Sequence, residues 1–201
     1  MGAIVAVETA IKYISAQDVI EEMLGDDTAV KSFLIDTIIA TKQTMEKETV
    51  TCSSQSQDLA TTLIIVVATP DIVAVAQIGD GMVVVKNLQG SLNALTVPNN
   101  GEYINHTTFL TTVDALYTTQ VKICRETITN VALLTDGLHM LAMKMVAVKP
   151  YSPFFTPLFD FVSQVQDPTT ANKQLANFLC SERITQRTDD DLTLILPALN
   201  N

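Results

Sequence analysis

Apolar residues along this chain change period near residue 60, and the change separates the elements they predict. Ile4, Val7, Ile11 and Ile14 recur at alternating three- and four-residue steps, the spacing of one helix face. Residues 3–24 are therefore predicted helical, with Val19, Ile20, Met23 and Leu24 continuing the apolar surface. Gly25 stands where a C-terminal cap is wanted. Asp26, Asp27 and Thr28 offer a fresh N-cap, and Val30, Phe33, Leu34, Ile38, Ala40 and Met45 line a second helix. Two consecutive helices with a tight joint predict a pair lying on something flat.

Residues 49–58 are a polar linker, after which the period becomes two or vanishes. Leu63–Val67 is β-branched and apolar on both faces, as in a strand covered on two sides. Pro70-Asp71 turns the chain into Ile72–Ile78. Gly79-Asp80-Gly81 breaks that run, Met82–Val85 follows, and Asn87–Gly90 turns into Ser91–Leu95. Connections this short imply antiparallel pairing, so a meander of about four strands is expected. Further strands are predicted near 119–124, at Val131–Thr135 and at Leu192–Leu196. Helices are predicted at 137–146, 154–166 and 169–182, the last two separated by Asp167-Pro168. Helices, a meander, then strands and helices make an α+β order rather than repeating βαβ units.

With 201 residues, 47% hydrophobic and 17% charged, the chain is expected to fold as one domain with a sizeable core. A net charge of −10 and only three arginines argue against nucleic acid and against an anionic membrane surface as partners. Cys52, Cys124 and Cys180 are odd in number and widely spaced, which fits reduced thiols in a cytoplasm and no zinc ribbon. With His106 and His139 the only histidines, a His-rich metal site is excluded.

Three acidic residues share one context. Asp80, Asp136 and Asp190 each follow or precede a buried strand, and strand ends of one sheet can converge. Carboxylates without His or Cys are hard oxygen donors suited to Mg2+ or Mn2+. Each position also has a plainer explanation. Asp136 is a residue type that caps helices, Gly79-Asp80-Gly81 suits a hairpin turn, and Asp189–Asp191 suits a solvated loop. No G-x-S-x-G, P-loop or G-x-G-x-x-G occurs.

Taken in order, four segments resemble the bacterial branch of the metal-dependent protein phosphatases called PP2C: Ala60-Thr61-Thr62-Leu63, Ile78-Gly79-Asp80-Gly81, Leu134-Thr135-Asp136-Gly137, and Thr188-Asp189-Asp190-Asp191-Leu192-Thr193. The stretch Gly101–Thr107 with Phe109-Leu110-Thr111 is similar to that branch as well. The resemblance implies a four-layer αββα sandwich, two antiparallel sheets flanked by helix pairs, over residues 1–201. It also implies a serine/threonine phosphatase acting on phosphoproteins through a two-metal centre of Mn2+ or Mg2+. Asp136 and Asp190 correspond to metal ligands, and Asp80 lies near an additional, weaker metal position. Gly79, Gly81, Gly137 and Thr193 support them, and Asp191 replaces a usual asparagine.

One feature of the family is absent from these residues. The resemblance calls for an early arginine and an Asp-Gly-x-Gly whose aspartate bridges both metals, and the 201 residues contain neither ahead of the first helix. The sequence alone therefore leads to the expectation of an N-terminally truncated domain that is inactive or impaired as a phosphatase. The competing expectation is a non-catalytic module with the same fold that binds a regulatory protein partner.

Overall fold

The computed structural model describes residues 1–17, 20–51, 55–98, 107–144, 149–197 and 199. Val19, Cys52, the Gly101–His106 part of the family-like stretch, and Met145 with the end of the helix expected at 137–146 lie outside the described residues. In chain order the elements are α1 (Gly2–Ser15), α2 (Ile20–Met23), α3 (Asp27–Thr51), β1 (Leu63–Thr69), β2 (Ile72–Ile78), β3 (Met82–Asn87), β4 (Leu92–Thr96), β5 (Gln120–Cys124) and β6 (Ile128–Leu134). They continue with α4 (His139–Ala142), β7 (Met143–Lys144), β8 (Lys149–Pro150), α5 (Ser152–Ser163), α6 (Pro168–Leu179), α7 (Glu182–Thr185) and β9 (Leu194–Ile195). The chain forms two compact units. The first holds residues Met1–Ala68, Ile72–Gly81 and Pro98–Arg125, and the second Thr69–Asp71, Met82–Val97 and Glu126–Asn201.

In the first unit a three-stranded sheet runs in the order β1-β2-β5. Strands β2 and β5 pair antiparallel, with Val75 opposite Lys122. Every residue of β2 is buried, as its unbroken apolar run requires. Its Ala74, Ala76 and Ile78 share one cluster with Val30, Leu34, Ile38 and Met45 of α3. Buried Thr37 and Thr41 on the same helix satisfy their hydroxyls on the carbonyls of Phe33 and Thr37, at 2.8 and 2.7 Å. Asp26 caps α3 by accepting from the Thr28 N–H at 2.8 Å, as the sequence predicts.

Helix α1 packs against α3, but not with the face its apolar spacing predicts. Gly2, Ala6 and Ala10 are its buried residues, whereas Ile4, Val7 and Ile11 are 62%, 48% and 58% exposed. Close approach selects the small side chains. A Cβ on Gly2 would lie 2.3 Å from the carbonyl oxygen of Leu59, so no larger residue fits that seam.

The second unit is a four-stranded antiparallel sheet, β4-β3-β6-β9, with a two-stranded ribbon of β7 and β8. Its core joins Met82 and Val84 of β3, Ala132 and Leu134 of β6, and Phe155, Leu158 and Phe159 of α5. These strand residues alternate, as a helix-covered sheet face demands. The expected four-strand meander is thus two hairpins in two sheets, because the chain changes sheet between Ile78 and Met82. The helix expected at 137–146 stops at Ala142, where Met143-Lys144 pairs instead with Lys149-Pro150. The helix expected at 169–182 ends at Leu179, and α7 follows separately. At its start, Asp167 accepts from the Thr170 hydroxyl and from the Thr169 and Thr170 N–H groups, which hold its carboxyl below the usual value of 3.8.

The α1 seam gives a direct test. Ala6→Leu forces a larger side chain into a fully buried contact and should cost about 1–3 kcal/mol in a urea melt. Ile4→Ser and Ile11→Ser should each change stability by no more than about 0.5 kcal/mol, since both sites are exposed. The opposite ranking would mean that the apolar stripe is the packing face.

Candidate metal centre

Strand β6 leads straight to Asp136. Its last residue, Leu134, pairs with Leu194 of β9, and Leu133 pairs with Ile195. One step beyond, the Thr135 N–H donates to the Thr193 carbonyl at 3.2 Å, while the Thr193 N–H donates to the Thr135 hydroxyl oxygen at 3.0 Å. The same hydroxyl donates to the Asp191 carbonyl at 3.4 Å. A strand of two residues is in this way extended by side-chain bonds, and the loop Asp189–Asp191 is held against the end of β6.

Asp136 opens a 3-10 turn, Asp136–Leu138, whose N-cap is Thr135. Its Oδ1 accepts from the Gly137 N–H at 3.0 Å, so its place is the first residue of the turn and not the cap. Asp190 is arranged alike. Its Oδ1 accepts from the Asp191 N–H at 2.8 Å, and its own N–H donates to the Thr188 hydroxyl at 3.3 Å. Asp136, Asp190, Asp191 and Thr193 are all exposed, with carboxylates open to solvent and to ions.

Gly137 is what allows this proximity. It is buried, and a Cβ there would lie 2.8 Å from the Asp191 carbonyl oxygen, 2.9 Å from Leu192 Cδ2 and 3.3 Å from the Asp190 Cβ. The glycine therefore serves clearance rather than an unusual backbone angle. Asp136 and Asp190, the two ligands expected from the resemblance, are brought together at one strand junction of the second unit.

Asp80 belongs to the first unit. It follows β2, is half-buried, and accepts from the Thr107 hydroxyl at 2.5 Å. Gly79 has φ of +105°, and a Cβ there would stand 2.3 Å from Thr62 Cγ2, so both conformation and space call for glycine. The buried Gln77 amide donates to the carbonyls of Gly79 and Gly81, at 3.3 and 2.6 Å, and clamps the turn. Lys42 of α3 donates to the carbonyls of Leu110 and Thr112, tethering the segment that carries Thr107 and Thr108. The hairpin reading of Gly79–Gly81 does not hold, since β2 and β3 belong to different sheets.

The donors at hand are carboxylate, hydroxyl and carbonyl oxygens, the chemistry that hard divalent cations prefer. Among the described residues no group of three or more His, Cys, Asp or Glu side chains is placed to hold a metal ion.

Three positioning residues were not singled out from the sequence. Thr135 had a signal in its place directly before Asp136. Gln77 had one as the lone amide in an apolar strand. Thr107 had one only as the last residue of the family-like stretch Gly101–Thr107, and nothing in that stretch points to its bond with Asp80.

Comparison with known proteins assigns the class. The family described as Protein phosphatase 2C matches residues 1–180. A relative in Escherichia coli K12, serine/threonine-protein phosphatase 3, is 32% identical over 198 residues, which span 97% of this chain and 76% of that protein. The chain belongs to the protein phosphatase 2C family. Its fold is that of solved bacterial phosphatases. The serine/threonine phosphatase Stp1 of Staphylococcus aureus superposes with a TM-score of 0.61 at 14% identity, covering 98% of this chain and 76% of that one. The catalytic domain of the phosphatase PstP, in complex with two manganese ions, gives 0.59 at 13% identity, covering 98% and 81%.

If Gly137 serves clearance, then Gly137→Ala should lower stability by about 1–3 kcal/mol. It should also shift the amide NMR signals of Asp190–Thr193 more than those of α6. A substitution silent in both measurements would remove the steric role.

Proposed function

We propose that residues 1–201 form one domain of the kind that hydrolyses phosphoserine and phosphothreonine esters in protein substrates, impaired as these residues stand, with Asp136 and Asp190 holding a divalent cation, Mn2+ or Mg2+. Asp80 is assigned to a further, weaker cation position. Gly79, Gly81, Gly137, Asp191 and Thr193 support these acids. The observation that supports the proposal is the junction of β6 and β9, where a Cβ on Gly137, the residue after Asp136, would lie 3.3 Å from the Asp190 Cβ, so the backbones carrying the two acids adjoin.

The cation would supply Lewis-acid activation of water and neutralisation of phosphoryl charge. The chain's own part is positional. Backbone N–H groups of Gly137 and Asp191 fix one oxygen of each carboxylate, and the paired bonds of Thr135 and Thr193 fix the backbones behind them. Cytoplasmic action is inferred from the cysteine pattern, an odd number of widely spaced residues without a C-x-x-C pair. No helix among the described residues is long and apolar enough to cross a membrane.

The 201 residues contain no Asp-Gly-x-Gly, so a polypeptide of these residues alone should bind Mn2+ weakly and hydrolyse aryl phosphates poorly. The test supplies that segment. The Asp-Gly-x-Gly-bearing N-terminal portion of a curated relative is fused ahead of Gly2, and Mn2+-dependent hydrolysis of p-nitrophenyl phosphate is measured. Turnover should appear, and Asp136→Asn or Asp190→Asn should each lower it at least about a hundredfold. Cys180→Ser, at an exposed site away from the acids, should stay within a few-fold. An active Asp136→Asn fusion would refute the ligand assignment. A fusion that folds and binds Mn2+ but never turns over would favour the interaction module.

A further inference from the structure

Helices α5, α6 and α7 of the second unit enclose a groove of about 740 Å³, within the size range of small-molecule sites. Its lining is about equally polar and apolar: Phe154, Phe161, Leu175 and Phe178 supply much of the apolar part, and Gln174 and Gln186 contribute to the polar part. Pro153 and Pro157 add a stretch of α5 without N–H donors. Leu158 and Ile184 of the floor belong to the unit's core, so the groove is built on a packed base.

Charge at this groove runs against the rest of the molecule. In a chain of net charge −10 with three arginines, two of them, Arg183 and Arg187, line the groove. Among the described residues no aspartate or glutamate does. The two arginines are four residues apart on one helical path, since the Arg187 N–H donates to the Ile184 carbonyl and extends the turn of α7. Residues so spaced are neighbours on a helix surface. Both are exposed, and neither makes an ion pair or side-chain hydrogen bond among the described residues.

We propose that this groove is a binding site for an amphiphilic monoanion, an aliphatic or aromatic carboxylate. The tail would lie on Phe154, Leu175 and Phe178, and the head would meet Arg183 and Arg187. Guanidinium groups suit a carboxylate because two parallel N–H donors match its two oxygens. An apolar tail uses the walls, which a free inorganic anion would leave exposed to water. A single negative charge also suffers less repulsion from the acidic chain than an acidic polypeptide would. The site stands on Leu141 and on residues between Tyr151 and Arg187, and is independent of the phosphatase reading.

Octanoate is the probe, with octan-1-ol as its uncharged counterpart, each titrated calorimetrically into the 201-residue chain. Octanoate should bind saturably, one to one, and at least about tenfold more tightly than the alcohol. Arg183→Gln/Arg187→Gln should weaken octanoate by about tenfold and leave the alcohol within about twofold. Leu175→Trp, which fills the groove, should weaken both ligands. Equal affinity for acid and alcohol in the parent chain would overturn the proposal, as would a double arginine variant that binds octanoate like the parent. Absence of saturable octanoate binding at about 10 mM, weaker than the millimolar range where a few kcal/mol are gained, would overturn it too.

Discussion

Everything at the acidic junction depends on a strand of two residues staying beside β6. Leu194 and Ile195 make only two register pairs, which is little for a sheet edge. The exchange between Thr135 and Thr193 lengthens the contact, each such hydrogen bond being worth about 1 kcal/mol net. Leu194 is 8% exposed within the core of the second unit, and burying a leucine is worth about 1.5–3 kcal/mol. Against this stands repulsion among exposed carboxylates, about 1 kcal/mol per pair at 4 Å in water. Burial and hydrogen bonding outweigh repulsion, so the acids can be gathered without a neutralising cation being needed for the fold.

That balance explains which parts of the molecule the sequence could disclose. The positions of Asp136 and Asp190 were legible because apolar runs of strand length end or begin beside them, and the fold class followed from the order of such runs. That strand ends of one sheet can converge was an expectation, and β6 and β9 do pair. The role of Gly137 was not, since its constraint is the approach of Asp190–Leu192 from a segment more than fifty residues away. The sheet change at Gly79–Gly81 was hidden for a similar reason. A glycine-aspartate-glycine run suits a tight turn, and only the separate partners of β2 and β3 reveal a passage between sheets.

Helix α1 shows a limit of another kind. Hydrophobic periodicity finds a face, but steric clearance decides which face meets the neighbour. Here the Gly2-Ala6-Ala10 stripe is buried, Val5 and Ile14 pack partly against the core, and Ile4, Val7 and Ile11 remain exposed. The helix expected after Asp136 is cut short at Ala142, as Met143 and Lys144 pair with Lys149-Pro150. Periodicity carries no information about such distant alternatives.

The central claim is that the end of β6 and the Asp189–Asp191 loop hold a divalent cation. Paramagnetic broadening by Mn2+ tests it without reference to turnover. In the 15N-labelled chain, substoichiometric Mn2+ should broaden the amides of Gly137 and Asp191 before those of the acidic pair Asp26-Asp27, and Asp190→Asn should abolish the preference. Broadening that begins at Asp26-Asp27, or that spreads evenly over the acidic surface, would contradict it.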